Sequence, residues 1–190
     1  MCIIKGISFG GDFVDNIIKI DKLTYRYEDH FIFDKLSLDI ERSKWITITG
    51  PNGSGKTTLI KILTGLIKTD GNIIINGITI NNIKEIRKNI GVIFSDIDNN
   101  FLCETIEDDI AFPLENLGLP MSEIRKRINE LANLLNIRFI LDKSPNELSG
   151  GEKVKAALAI ALSHKPRILI IDGVLSTIDN ESKQKILELI

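Results

Sequence analysis

The run Gly50-Pro51-Asn52-Gly53-Ser54-Gly55-Lys56-Thr57 constrains this chain more than any other stretch of it. Ahead of it, Trp45-Ile46-Thr47-Ile48-Thr49 has the short, apolar, β-branched character of a strand. Behind it, Thr58-Leu59-Ile60-Lys61-Ile62-Leu63 begins a helix. Strand, glycine-rich turn and helix N-terminus are the context in which such a spacing makes a phosphate-binding loop. Glycines let backbone N–H groups turn inward and approach an anion where a Cβ would obstruct. The helix dipole adds partial positive charge at the same place. In such a loop Lys56 reaches the β- and γ-phosphates of a nucleotide, and the Thr57 hydroxyl ligates Mg2+.

The rest of the chain narrows the setting. Its 190 residues suit one domain, or one domain carrying a small insertion. At 43% hydrophobic and 26% charged, with a net charge of −2, it can bury a core and offers no basic face for nucleic acid. Cys2 and Cys103 lack metal or redox spacing and read as reduced thiols. No apolar run is long enough for a membrane span and no signal peptide is evident, so the expected compartment is the cytoplasm.

Residues 1–16, with Gly6, Gly10 and Gly11, carry no clear pattern and are expected to be an N-terminal extension without assigned function. Ile17 to Tyr27 and Phe31 to Ile40 alternate as half-buried antiparallel strands do. Gly71 to Ile75, the turn Asn76-Gly77 and Ile78 to Ile80 predict a hairpin. Ile90 to Phe94 predicts a short buried strand. From Thr105 to Leu141 the period becomes helical, with Ile124, Ile128, Leu131, Leu134 and Leu135 on one face. Pro113, Pro120 and Pro145 are expected to set the edges of this region. Gly151 to Ser163 predicts a helix, Arg167 to Asp172 a buried parallel strand, and Asn180 to Ile190 a further helix. The whole reads as an α/β nucleotide-binding core interrupted by a helical insert.

Leu148-Ser149-Gly150-Gly151-Glu152 opens a helix with a serine and two glycines, a second place suited to an anion. The strand that follows ends in Asp172, the position of a water-mediated Mg2+ ligand in phosphate-loop enzymes. With this order of motifs, completed by Ser176-Thr177-Ile178-Asp179, the chain resembles the ATP-binding subunits of ABC transporters from about residue 17 onward. The resemblance is greatest to the energy-coupling-factor type, which powers vitamin and metal-ion uptake. It is carried by Asp98-Asn99-Asn100-Phe101, Thr105-Ile106-Glu107-Asp108-Asp109-Ile110-Ala111-Phe112 and Leu114-Glu115-Asn116-Leu117-Gly118-Leu119-Pro120.

The resemblance implies a P-loop NTPase core with an antiparallel β-subdomain, and a helical subdomain inserted at about residues 105–150 of a domain spanning 17–190. It implies two subunits sandwiching ATP and Mg2+, with Gly50 to Thr58 and Asp172 holding triphosphate and cation, and Tyr27 stacking on adenine. Leu148 to Glu152, above all Ser149 and Gly151, would contact nucleotide held by the partner, and Ser176 and Asp179 would belong to the loop between the two sites. The partners implied are a second ATPase chain, alike or unlike, and transmembrane subunits that place the protein on the inner face of the cell membrane. A protein acting on DNA or ribosomes is disfavoured, because the chain lacks a basic stripe, a coiled-coil insert and a second cassette.

Three departures from the family stand out. Gly173 occupies the place of a glutamate that polarises the attacking water, and Ser95 that of a glutamine that senses Mg2+ and the same water. The family's next strand, with its γ-phosphate-contacting histidine, is not in this sequence; the two histidines are His30 and His164. Because that strand lies between the phosphate-loop strand and the Asp172 strand, its loss is expected to leave buried backbone groups unpaired, at about 1–3 kcal/mol each. The expectation is therefore an incomplete fold, with a separately made C-terminal fragment completing the sheet, and a degenerate hydrolytic site. A non-hydrolysing or vestigial nucleotide-binding protein is the alternative.

Overall fold

The computed structural model describes residues 1–7, 16–174 and residue 184. The chain divides into two compact units, the first of Met1–Val92 with Pro166–Asp172 and the second of Ile93–Lys165 with Gly173–Ile190. Ser176, Asp179 and all but one residue of the expected Asn180–Ile190 helix lie outside the described residues.

The first unit holds two sheets. Its elements in chain order are β1 (Cys2–Gly6), β2 (Asn16–Tyr27), β3 (His30–Glu41), β4 (Trp45–Ile48), α1 (Lys56–Leu63), β5 (Asn72–Ile75), β6 (Ile78–Thr79), α2 (Ile83–Asn89) and β7 (Ile90–Ile93), closed by a returning strand after residue 165. One sheet runs β3-β2-β5-β6 and is antiparallel throughout, as the alternation in residues 17–40 predicts. The Asn76-Gly77 turn joins β5 to β6 with Ile75 opposite Ile78, the expected hairpin.

The other sheet differs from expectation. Its order is β4-β1, then the strand Ile168–Asp172, then β7. Cys2–Gly6, which has no local pattern to mark it, is an inner strand, with Cys2 and Ile4 fully buried. It runs antiparallel to both neighbours: Ile4 lies opposite Ile46 on one side and Ile170 on the other. The Ile168–Asp172 strand, buried at all five positions, has β1 as an antiparallel neighbour on one side and β7 on the other. The expected unpaired groups between the phosphate-loop strand and the Asp172 strand are not found, because β1 lies between them. No strand supplied in trans is needed to pair those two edges.

The second unit is helical. It contains α3 (Ile106–Asn116), α4 (Met121–Leu134) and α5 (Gly150–Leu162), after which the chain returns to the first unit as β8 (Ile168–Asp172). Thr105 caps α3, its hydroxyl accepting the Asp108 N–H. The helices bury Ile106, Ile110 and Leu114 from α3, Ile124, Ile128 and Leu131 from α4, and Val154 and Leu158 from α5. Two expectations fail here. Leu134 is 47% exposed, and Ala132, which follows Leu131 into the core, is fully buried. Pro113 sits inside α3 instead of ending it, at the loss of one backbone hydrogen bond, whereas Pro120 does set the start of α4. Arg127 of α4 donates to the carbonyls of Leu162 (2.8 Å) and Ser163 (3.0 Å), satisfying acceptors that the end of α5 leaves open.

β1 fixes the first prediction. Ile4→Ala, which removes a fully buried side chain from an inner strand, is expected to cost about 2–5 kcal/mol of unfolding free energy. An effect below about 0.5 kcal/mol in urea titration, the range of an unstructured tail, would contradict the placement of β1.

Candidate functional site

The site in the first unit is built at one end of the β4-β1-β8 layer. Cys2 of β1 lies opposite Ile48 on one side and Asp172 on the other, so β4 and β8 end level. From Ile48 the chain passes through the glycine-rich loop into α1. Gly55 caps that helix at φ 91°, a left-handed backbone natural to glycine, and no side chain bonds the helix N-terminus. A Cβ on Gly55 would stand 2.7 Å from Ile32 Cγ2 and 3.1 Å from the Phe33 ring, so β3 packs directly under the loop. The first turn of α1, whose N–H groups a helix cannot satisfy internally, contains no acidic residue of its own. That is the electrostatic condition for an anion.

Lys56 folds back over this loop. Its ammonium donates to the carbonyls of Gly50 and Pro51, both at 2.8 Å, and to Ser54 Oγ at 3.2 Å. Its three protons thus meet three neutral acceptors that phosphate oxygens can replace with stronger, charge-assisted bonds. Thr57 Oγ1 donates to Asp172 Oδ2 at 2.7 Å, joining residues 115 apart in sequence. Asp172 is buried (4% exposed) and stands at the end of β8 as the sequence predicts. A hydroxyl and a carboxylate held together beside a phosphate loop are the hard-oxygen donors that Mg2+ takes when phosphates complete its shell. Among the described residues no group of three or more His, Cys, Asp or Glu is arranged to hold a metal. Burial, reinforced by the Asp172 carboxylate, pushes the Cys2 thiol up to about 12, leaving it an uncharged wall of the site. Tyr27 ends β2 and is 64% exposed, available for stacking.

In the second unit Ser149 caps α5, and Gly150 and Gly151 begin the helix in open surroundings. Ser95 follows β7 and is exposed, in a turn organised by Asn100. The Asn100 side chain accepts the Phe94 N–H at 2.9 Å and donates to the carbonyls of Phe94, Asp96 and Ile97 at 3.0–3.2 Å. Asp98 of the same turn receives Lys153 of α5 at 2.5 Å. Gly173 directly follows Asp172 at φ 74°, a conformation in which a glutamate would be strained.

A family model described as ABC transporter matches residues 33–176. The chain belongs to the ABC transporter family. It is 40% identical over 180 residues to the energy-coupling factor transporter ATP-binding protein EcfA1 of Mycoplasmopsis synoviae, covering 92% of this chain and 68% of that protein. It is 39% identical over 183 residues to EcfA of Pediococcus pentosaceus, covering 93% of this chain and 65% of that one. The chain thus spans about two thirds of the length of these relatives. Among solved structures, CbiO1 from Clostridium perfringens, part of the ABC transporter complex CbiONQ, superposes with a TM-score of 0.78 at 30% identity, over 93% of this chain and 72% of that one. A dimeric ATP-binding cassette in a post-hydrolysis state, bound to ADP and Pi, matches at the same TM-score with 26% identity, over 90% of this chain and 80% of its own. The α/β ABC ATPase fold expected from the motifs is thereby established.

Two contributors have roles that a motif reading of this ABC domain does not give. Asn100 and Asp109 act through side-chain bonds to backbone of the segments just before them, which no motif announces. Glu152, already part of the expected Leu148–Glu152 segment, completes a capping box with Ser149. Asp109 Oδ1 accepts the N–H groups of Leu102 (2.8 Å) and Cys103 (3.0 Å), clipping the segment that leads into α3. Its Oδ2 is buried with no hydrogen-bond partner.

Burial pushes the Asp109 carboxyl above its usual range, against the lowering effect of the two backbone bonds. A raised folded-state value means that folding favours the protonated form, so stability drains away as pH rises through the carboxylate range. Asp109→Asn keeps an acceptor for Leu102 and Cys103 and removes the charge. Its stability relative to the parent is expected to be greater at pH 7 than at pH 4. An equal effect at both pH values in urea titrations would show that charge burial is not what strains this position.

Proposed function

We propose that this chain is the ATP-binding subunit of an energy-coupling-factor-like importer, binding Mg-ATP at a face shared with a second ATPase chain. The observation that carries the reading is the contact between Thr57 and Asp172 at 2.7 Å beside an anion-ready helix N-terminus. Lys56 and the N–H groups around Gly53 to Thr58 would bind the phosphates, Thr57 and Asp172 the cation, and Tyr27 the adenine. ATP would supply the free energy that draws the two chains together and is released when they separate. On the opposite role, Ser149 and Gly151 would serve the nucleotide of the other chain, whether a second copy or an unlike ATPase. Transmembrane subunits would hold the pair on the inner face of the membrane and take up a small nutrient.

Hydrolysis at the chain's own site is proposed to be weak. Gly173 brings no carboxylate to orient water, and its φ of 74° resists replacement by a longer side chain. Ser95 is too short to stand in for a glutamine without a bridging water. These two positions favour a second reading, a nucleotide-binding protein without transport coupling. Among the described residues no helix is long and apolar enough to cross a membrane.

Unfolding of the purified chain, followed across a titration with Mg-ATP, tests the site. A ligand bound only by the folded state adds about 2.7 kcal/mol at a hundredfold excess over Kd. Saturable stabilisation that disappears in Lys56→Ala is expected. Indifference of the folded chain to Mg-ATP, or ATP turnover that survives Lys56→Ala, would contradict the proposal.

A further inference from the structure

The Ser149 hydroxyl carries a single proton, and that proton is already engaged. Ser149 Oγ donates to Glu152 Oε2 at 2.6 Å. The same carboxylate oxygen accepts the Ser149 backbone N–H at 2.8 Å, and the Glu152 N–H points back to Ser149 Oγ at 3.4 Å. A second capping box lies five residues upstream and offers a comparison. There Glu147 Oε2 accepts the Ser144 backbone N–H at 2.8 Å, but no bond joins the Ser144 hydroxyl to Glu147. Thr105 at the start of α3 also donates its hydroxyl proton to a carboxylate, Asp108 Oδ2 at 2.6 Å, but of these caps the Ser149 one alone stands at a glycine-rich helix start.

We propose that Glu152 is a positioning residue that clamps the Ser149 hydroxyl proton and so weakens ATP-driven association of this chain with a second copy. The inference rests on the reading that Ser149 faces nucleotide held by the other copy. A clamped hydroxyl presents lone pairs, not a proton, to phosphate oxygens. To donate to phosphate it must first leave a charge-assisted bond, which is about twice as strong as a neutral one. The Ser149 bonds themselves hold the Glu152 carboxyl below its usual range, with Lys143 and Lys155 nearby adding to the effect. The clamp is therefore charged, and closed, at every pH near neutrality. A glutamine at the same place still accepts the Ser149 N–H and still completes a capping box, but it holds the hydroxyl only through a neutral bond.

Association of the chain is measured by sedimentation with Mg-ATP, for the parent, Glu152→Gln, Ser149→Ala and the double variant. Glu152→Gln is expected to tighten ATP-dependent association about fivefold, the difference between a charge-assisted and a neutral hydrogen bond. In the Ser149→Ala background the same change is expected to do nothing. An equal gain with and without the hydroxyl would mean simple relief of charge repulsion, and would overturn the clamp, as would no gain in a parent that associates. Absence of ATP-dependent association in all four chains would instead overturn the shared-face reading. Nucleotide binding measured in parallel with Lys56→Ala shows whether that failure lies in binding or in assembly.

Discussion

The position of β1 between β4 and β8 is the constraint on which the nucleotide site depends. Along their facing edges, residues 45–48 of β4 and 168–172 of β8 pair in register with Cys2–Gly6. Left open, the same edges would hold buried donors and acceptors at about 1–3 kcal/mol each, against a total stability for a domain of about 5–15 kcal/mol. The pairing also sets distance. With Cys2 opposite both Ile48 and Asp172, the phosphate loop leaves one strand at the level where the carboxylate ends the other. Thr57, two residues into the site from Gly55, then meets Asp172 at hydrogen-bond distance.

From that alignment the chemistry follows by short steps. The loop needs glycine at residue 55 because β3 leaves no room for a side chain there. Lys56 keeps the loop in shape by bonding its own carbonyls, and those bonds can be exchanged for phosphate. Burial and the neighbouring Asp172 together keep Cys2 uncharged, so the floor of the site carries no stray anion beside the one that is needed. In the second unit the same principle, a side chain satisfying backbone at a turn, recurs at Asn100, Asp109 and Glu152.

The parts legible from sequence were those whose signal is local. The strand, loop and first turns around Gly50 to Leu63 announce themselves because each residue type answers a steric or electrostatic demand within a few positions. The Asn76-Gly77 hairpin and the apolar run ending in Asp172 are of the same kind. β1 is different: Cys-Ile-Ile-Lys-Gly has no turn signal and no long alternation, and becomes a strand only through partners far away in sequence, such as Ile46 and Ile170. Leu134 and Pro113 mislead for a related reason, since an apolar residue or an imino acid says little about which helix face meets a neighbour. In the site, Lys56, Thr57, Asp172 and Ser149 follow from motif and resemblance, while Asn100 and Asp109 follow only from coordinates.

Hydrogen exchange of the backbone amides of β1, compared with those of β8, tests the central claim most directly. If β1 is an inner strand, the amides of residues 3–5 exchange as slowly as those of residues 169–171, through the same cooperative opening. Mg-ATP is then expected to slow both sets together. Fast exchange of β1 beside a protected β8 would show that the two strands do not form one sheet, and that the site is aligned by something else.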